Sequence, residues 1–361
     1  MTRKNQTYFT RNQLSNHILC VSKSEHKVYI PNEIFKELKG YVDEETGEII
    51  EGFFDIEGNK IPDFKSSTHI AYAYARVYLA HWMYRYCKYS YWDDEKGNVE
   101  IDEKMIKQIL GFPAKSDNYT YITKKGGLLE KLGYIRKESN IPIGYDLEEK
   151  WCYHKRFEGG KKLYKEIDDF TYRSDGNSKN RKIDYPVKAF YRKSWAEEEC
   201  YRNGVFWEVE DTHMIDIDVF IYCMTNKELG VEGFYLYSFM SMMSDKYKGS
   251  FDCSIKRLIE FTGLGERTVR DQLKELEKRN MISNDHKPYC LNKKDWQITK
   301  ANTYKVLPAN KFISNESEFK VIPKQERISA ERYESEIGFV VYENALVTDK
   351  EVIVTNEELP F

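Results

Sequence analysis

Side chains that could bind a metal ion or a nucleotide are present, but they lack the spacing that such sites require. Asp216 and Asp218 alternate with apolar residues in HMIDIDVFIY. Alternate residues of a strand share one face, so these carboxylates could bind a cation, although exposed strand residues or a helix cap are the favoured interpretation. The segment FEGGKKL places glycines beside lysines, yet Lys155 occupies the position of the first glycine of a phosphate loop. Binding of ATP there is not expected.

Histidine and cysteine patterns also exclude the commonest catalytic sites. None of the seven histidines is followed by another four residues later, and the His-apolar-His pattern of a rolling-circle nickase is missing. The seven cysteines are scattered, with no two within four residues of each other. This excludes the usual zinc and redox spacings. We expect reduced core cysteines, no catalytic residue, no metal and no cofactor.

Binding of nucleic acid is indicated instead by residues 254–282, SIKRLIEFTGLGERTVRDQLKELEKRNMI. Ser254 is a typical helix N-cap, and Gly263 is suited to the turn that ends a helix. A second helix is predicted from about Gly265 to about Arg279. Two helices joined by a glycine turn are typical of DNA-binding motifs.

The second of these helices is amphipathic. At 100° per residue, Val269, Gln272, Leu273 and Leu276 share one side. The opposite side and its flanks carry the candidate DNA contacts, which are Arg267, Thr268, Arg270, Asp271, Lys274 and Lys278. Asp271 departs from a uniformly basic face, so it either reads a cytosine amino group or holds a neighbouring arginine.

The segments around this helix pair complete a known pattern. The aromatic helix GFYLYSFMSMMSDKY precedes it, and the strand-like NTYKVL follows a polar hairpin. Residues 231–307 resemble winged helix-turn-helix domains, and TGLGERTVRDQLKELEKRNMI carries the resemblance. In that family the second helix of the motif enters the major groove and the wing contacts the backbone. The resemblance implies wing contacts from Lys293, Lys294 and Lys300.

The first half of the chain repeats this layout. IDEKMIKQILG takes the place of SIKRLIEFTG, and counting back from Ile135 and from Ile282 reaches apolar residues at the same offsets. We therefore predict a second winged helix, whose own helix is weakened by Gly126 and Gly127. Its candidate DNA contacts are Thr120, Thr123, Lys124 and Lys131. This helix either binds the DNA backbone or packs against a partner subunit.

The expected fold class is α+β, mostly α, with two winged helix-turn-helix domains in tandem. About two domains is also the default for 361 residues. The predicted organisation is an N-terminal arm at 1–27, a first domain at 28–170 with an acidic insertion at 43–63, a basic linker at 171–207, a second domain at 208–307 and an acidic, flexible tail at 308–361.

Charge is distributed unevenly, although the net charge is only -3. Residues 254–305 contain twelve Lys and Arg against seven Asp and Glu, and residues 306–361 contain six against eleven. A basic module followed by an acidic tail is expected where one part meets phosphate and the other avoids it. The simplest alternative for any basic helix is a solvated surface.

The segment NEELPF, residues 356–361, is similar to the acidic tip of bacterial single-stranded-DNA-binding proteins. In that family the tip docks on replication and repair enzymes, with the phenylalanine in an apolar pocket and its carboxylate on a basic side chain. The similarity implies partner contacts from Glu357, Glu358, Leu359, Pro360 and Phe361.

Two winged helices without an ATPase motif resemble the replication initiators of plasmids and phages. The resemblance implies binding to repeated origin sites in double-stranded DNA and recruitment of host replication proteins through the tip. We expect a cytoplasmic protein without a membrane segment, since the first twenty residues contain no apolar run. A homodimer on DNA is left open. The alternatives are a transcriptional regulator of a mobile element, a scaffold that uses winged helices for protein contacts and, more distantly, a metal-dependent nuclease.

Overall fold

The structure, a computed structural model, describes residues 8–19, 27–39, 53–54, 58–93, 95, 97–139, 141–145, 151–152, 160–163, 182–189, 211–290, 292–294 and 297–340. These residues form both helices and strands, with more helix than strand, which confirms the expected mixture of α and β structure. Among them, no helix has both the length and the apolar character needed to cross a membrane.

The helices of the described residues are α1 (Arg11–Ile18), α2 (Ile34–Glu37), α3 (Ser67–Arg85), α4 (Glu103–Ile109), α5 (Thr120–Thr123), α6 (Leu128–Lys131), α7 (Ile217–Met224), α8 (Gly230–Lys246), α9 (Ile255–Thr262), α10 (Glu266–Lys278) and α11 (Ala330–Glu336). The two long ones are α3 and α8, and most of their residues are buried. α8 is the aromatic helix predicted from sequence. Helices that are apolar on all sides lie inside a core.

The strands of the described residues are β1 (Lys27–Pro31), β2 (Phe53–Phe54), β3 (Lys60–Ile61), β4 (Ser90–Asp93), β5 (Gly97–Glu100), β6 (Ile135–Glu138), β7 (Pro142–Tyr145), β8 (Trp151–Cys152), β9 (Gly160–Leu163), β10 (Ile183–Pro186), β11 (Thr212–Asp216), β12 (Phe251–Cys253), β13 (Ile282–Asp285), β14 (Tyr289–Cys290), β15 (Asn302–Val306) and β16 (Arg327–Ile328). They pair in sheets of two or three strands. The pair of β14 with β16 is parallel.

Apart from additional strands in the first, the same order of elements occurs in residues 27–189 (the first repeat) and 211–311 (the second repeat). Gly111 and Gly263 follow α4 and α9 with positive φ, and Gly133 and Asn280 do so before β6 and β13. β10 pairs with β6 as β15 pairs with β13. The backbone therefore repeats where the sequence pattern predicts a repeat.

The two repeats share one hydrophobic core. β1 pairs antiparallel with its counterpart β11, with Tyr29 opposite Met214 at the centre of the pair. α3 packs against its counterpart α8, and Tyr74 of α3 meets Tyr235 of α8 edge to face with ring centroids 5.3 Å apart. Two elements of the first repeat therefore meet their counterparts in the second repeat. The buried side chains of both repeats belong to one continuous cluster.

The described residues extend this core past three predicted boundaries. α1 lies in the predicted arm, with Leu14 and Ile18 fully buried. β10 lies in the predicted linker and completes a sheet of the first repeat. Residues 308–340 of the predicted tail contact the second repeat, where the Ile313 N–H donates to the Arg279 carbonyl (2.9 Å). Much of the acidic insertion lies outside the described residues, and its described part contains the pair β2–β3.

A histidine is buried where the repeats meet. The side chain of His213 on β11 uses both ring nitrogens, with Nδ1 3.0 Å from Asn32 Oδ1 and Nε2 2.7 Å from the Tyr74 hydroxyl. Since an amide oxygen only accepts, Nδ1 carries the proton and Nε2 accepts from Tyr74. Burial lowers the pKa of His213 to about 3, so the ring is neutral in the folded chain.

We expect this imidazole to make stability fall in acid. The unfolded chain protonates His213 at about pH 6.5, whereas the folded chain resists protonation down to a pKa of about 3. The contribution of the neutral imidazole to the free energy of unfolding is complete above the pKa of the unfolded chain. Below that pKa it falls by about 1.4 kcal/mol per pH unit. Urea unfolding of wild type and His213→Gln between pH 7 and pH 4 should show their free-energy difference shrinking as the pH falls. A difference independent of pH would contradict this expectation.

The first repeat also buries charged side chains. Arg76 and Asp184 are each 2% exposed, with Nη2 and Oδ2 2.5 Å apart. Lys137 Nζ lies 2.5 Å from Asp184 Oδ1, and Glu103 also accepts from Arg76 (2.6 Å). Burial raises the pKa of Asp184, but Arg76 and Lys137 outweigh burial and hold that pKa below its usual value. The second repeat has Tyr304 at the equivalent strand position, so an aromatic ring replaces the carboxylate.

Candidate nucleic-acid interface

α9 and α10 are joined by a turn that the sequence specifies closely. The Ser254 hydroxyl accepts from the Arg257 N–H (3.2 Å) at the start of α9. Gly263 ends α9 with a φ of +67°, and Gly265 is the N-cap of α10. Leu264, between them, is buried. The predicted cap, glycine turn and helix limits are confirmed.

α10 has one buried and one exposed side, as its periodicity predicts. The predicted inward residues Val269, Gln272, Leu273 and Leu276 are all buried. α10 packs on α8. Four of the predicted DNA contacts are exposed, namely Arg267, Arg270, Asp271 and Lys274, and Thr268 and Lys278 are half-buried. These side chains form one face accessible to a large ligand.

Two cations of this face are less constrained by ion pairs than the others and are the most available to a ligand. Arg267 Nε lies 3.6 Å from Asp271 Oδ2, with both side chains mostly exposed, so the pair is weak. This pair matches the second of the two roles predicted for Asp271. Lys274 has no ion pair within the described part of the chain. Arg267 and Lys274, two turns apart, can both turn toward an anion.

The other two cations of α10 are held by acids of the same helix. Arg270 Nη2 lies 2.8 Å from Glu266 Oε1, and Lys278 Nζ lies 2.8 Å from Glu275 Oε1. Exposed pairs of this kind contribute less than about 1 kcal/mol, so Arg270 is held only loosely. Lys278 lies at the C-terminal end of the helix and is the more enclosed of the two.

The sheet β12–β15–β13 carries the predicted wing between β13 and β15. Lys293 and Lys294 are exposed in this hairpin, and Lys293 Nζ donates to the Gln297 carbonyl (2.5 Å). Lys300 differs, because its N–H donates to the Tyr333 hydroxyl (2.7 Å) and its Nζ to the Ile337 carbonyl (2.8 Å). Its ammonium attaches the hairpin to α11 rather than pointing to a ligand.

The equivalent helix of the first repeat is interrupted. α5 and α6 are single turns separated by residues 124–127. Gly126 has a φ of +70°, and its N–H donates to the Glu130 carboxylate. The predicted weakening of this helix by its glycine pair is confirmed. A helix broken here cannot present a continuous row of side chains to a groove.

The predicted contacts of the first repeat lie in different environments. Lys124 and Lys131 are exposed, and Thr120 is half-buried. Thr123 is only 2% exposed, and its hydroxyl donates to Glu103 Oε1 (3.2 Å). Its predicted DNA contact is therefore wrong, because the side chain faces the buried ion cluster. The remaining exposed candidates are Lys124, at the start of the break, and Lys131, at the end of α6.

We expect the break to depend on Gly127. A Cβ there would lie 2.8 Å from the Tyr121 and Lys124 carbonyl oxygens, so Gly127→Ala should destabilise the protein by about 1–3 kcal/mol. Gly265→Ala is the matched control, since Gly265 is also a helix N-cap but has no atom within 4 Å of its Cβ position. It should cost under about 1 kcal/mol. Equal losses in urea unfolding would contradict the steric argument.

The candidate metal and nucleotide residues have structural roles where they are described. Asp216 caps α7, with Oδ1 accepting from the Asp218 N–H (2.8 Å), which confirms the helix-cap interpretation. No cluster of three His, Cys, Asp or Glu suited to a metal occurs among the described residues. Within FEGGKKL, residues 160–163 form β9. The tip residues 357–361 lie outside the described part of the chain.

Sequence reasoning missed a group of cations after the second repeat. Lys320, Lys324 and Arg327 are exposed, although they lie in the predicted acidic tail. The acids of residues 306–361 are concentrated after residue 330. Charge averaged over residues 306–361 therefore concealed the cations near the start of this segment. Counting charge over shorter stretches of sequence would have identified them.

Comparison of the chain with protein-family models, with curated proteins and with solved structures found no match.

Proposed function

We propose that the chain is a sequence-specific double-stranded DNA-binding protein with two winged helix-turn-helix units, and that it acts as a replication initiator of a plasmid or phage. In this proposal α10 enters the major groove, and the hairpin between β13 and β15 is the wing on the phosphate backbone. The first repeat binds phosphates through Lys124 and Lys131, since its helix is broken.

The exposed face of α10 carries this proposal. Its opposite side is buried, so packing fixes the helix while Arg267 and Lys274 stay accessible. Arginine and lysine pair with guanine acceptors in the major groove. A helix turned toward solvent with uncommitted cations is better suited to a polyanion than to a protein core.

Replication is favoured over other uses of DNA binding by the tandem repeat and by the similarity of NEELPF to the tip of single-stranded-DNA-binding proteins. In this proposal Glu357, Glu358, Leu359, Pro360 and Phe361 bind a host replication protein. Two unequal repeats within one chain suit a site with two unequal halves.

Chromatin capture of the tagged protein from its native cell, with sequencing of the bound DNA, tests the proposal. A cluster of repeated sites in an A·T-rich region that replicates autonomously would support an initiator. Binding confined to promoters would reassign the protein as a transcriptional regulator. No enrichment of DNA would reject the proposal and favour a scaffold.

A further inference from the structure

A segment beyond the second repeat lies beside the proposed DNA-binding unit. Residues 319–327, which we call the strap, begin beside the C-terminal end of α10 and run to the edge of β14. Near its start the Lys320 N–H donates to the Lys278 carbonyl (2.9 Å). The Arg279 guanidinium lies over the Phe319 ring, 4.6 Å from its centroid. The first end of the strap is thus fixed to α10.

The far end of the strap is fixed to the wing. The Tyr289 N–H donates to the Glu326 carbonyl (2.9 Å), and Arg327 pairs with Tyr289 at the start of the parallel ladder between β16 and β14. Between the two ends the backbone makes neither helix nor strand, and Val321 is 93% exposed. An exposed segment held at both ends presents its side chains at defined positions.

The strap presents cations that no acid neutralises within the described residues. Lys320, Lys324 and Arg327 are exposed and have no ion pair there. By contrast, the nearby Arg332 lies 2.8 Å from Glu326. Unpaired cations on a fixed backbone create a local positive potential that favours an extended anion.

The position of the strap beside the wing indicates which anion its cations would bind. Arg327 lies opposite Tyr289, just before the hairpin residues Lys293 and Lys294. The cations of the strap therefore continue the basic edge of the proposed wing. We propose that the strap is a further DNA-contacting element, in which Lys324 and Arg327 neutralise backbone phosphates that flank the wing. This inference rests on the proposed function.

The salt dependence of binding tests the strap. Affinity for a 40-base-pair duplex of mixed sequence is measured by fluorescence anisotropy over a series of NaCl concentrations. Each phosphate contact contributes a slope of about 0.9 in log affinity against log salt. The full-length variant Lys324→Gln/Arg327→Gln should therefore show a slope about 1.8 smaller than wild type. The control Lys60→Gln/Lys311→Gln removes two exposed lysines outside the strap and should keep the wild-type slope.

Two outcomes would overturn the inference in different ways. If wild type binds with a salt-dependent affinity and the strap variant has the same slope, the strap is rejected and the proposed function stands. If wild type shows no salt-dependent affinity for duplex DNA, both are rejected. Because Lys324 and Arg327 are exposed, the thermal unfolding midpoint of the variant should match wild type, which separates lost contacts from lost folding.

Discussion

Asp184→Asn should lower the free energy of unfolding by about 3–5 kcal/mol. The substitution keeps the shape of the side chain but removes the charge that faces Arg76 and Lys137 at 2.5 Å. Arg76 is 2% exposed, so water cannot reach its guanidinium unless the core opens. Among the described residues, Arg76 and Lys137 would keep only the partly exposed Glu103 as a partner, and a buried cation that loses its buried counter-charge is strongly destabilised. Urea unfolding at pH 7 measures the loss.

Two further variants distinguish the cost of an uncompensated buried charge from the cost of losing an ion pair in general. Glu138→Gln removes the partner of the half-exposed Arg136 and should cost less than about 1 kcal/mol. Arg76→Met/Asp184→Leu removes both buried charges and should be more stable than Asp184→Asn, because apolar side chains replace buried ion pairs well. Equal stability of Asp184→Asn and Glu138→Gln would contradict a large cost for the buried charge of Arg76.

Loss of the two available cations of α10 should abolish most specific DNA affinity. Contacts to base edges contribute about 1–3 kcal/mol each, so Arg267→Ala/Lys274→Ala should raise the Kd for a selected duplex at least about 30-fold. The effect is expected to be large because neither side chain is committed to a strong ion pair. The duplex is obtained by selection from a random library and the Kd measured at fixed salt.

The matched control is Lys60→Ala/Lys311→Ala, which removes the same charge from exposed positions off the α10 face. It should change the Kd by only a small factor, through long-range electrostatics. If both double variants bind equally, the exposed face of α10 is not the recognition surface. Selection repeated with Arg267→Ala should also yield a broader set of sequences, since base contacts specify and phosphate contacts do not.

Local features were predictable wherever a single residue type determines the backbone conformation. Ser254 caps α9, and Gly263 turns the chain between α9 and α10. The Gly126–Gly127 pair interrupts the helix of the first repeat that is equivalent to α10. Each of these depends on a conformation that few residues adopt. The alternation of faces along α10 was predictable for a similar reason, since the helical period is fixed.

Contacts between distant segments could not be predicted from the sequence. The pairing of β1 with β11 joins strands far apart in the chain, and neither strand specifies its partner. Asp184 lies in the predicted linker, and only its contact with Arg76 shows why a charge is buried there. Thr123 fits an exposed helical face by periodicity, but its side chain is buried and its hydroxyl donates to Glu103. Pairwise partners of this kind depend on the assembled core.

The shared core of the two repeats has a consequence for how such a protein can change. In a homodimer every substitution appears twice, so both copies of a helix must vary together. A single chain with an internal repeat holds its halves together covalently and through the β1–β11 pair, while each half keeps its own residues. One helix can lose its continuity at Gly126, and the other can keep a full cationic face, without any loss of pairing between them. Joining the halves in one gene product thus allows a repeated scaffold to acquire two different surfaces.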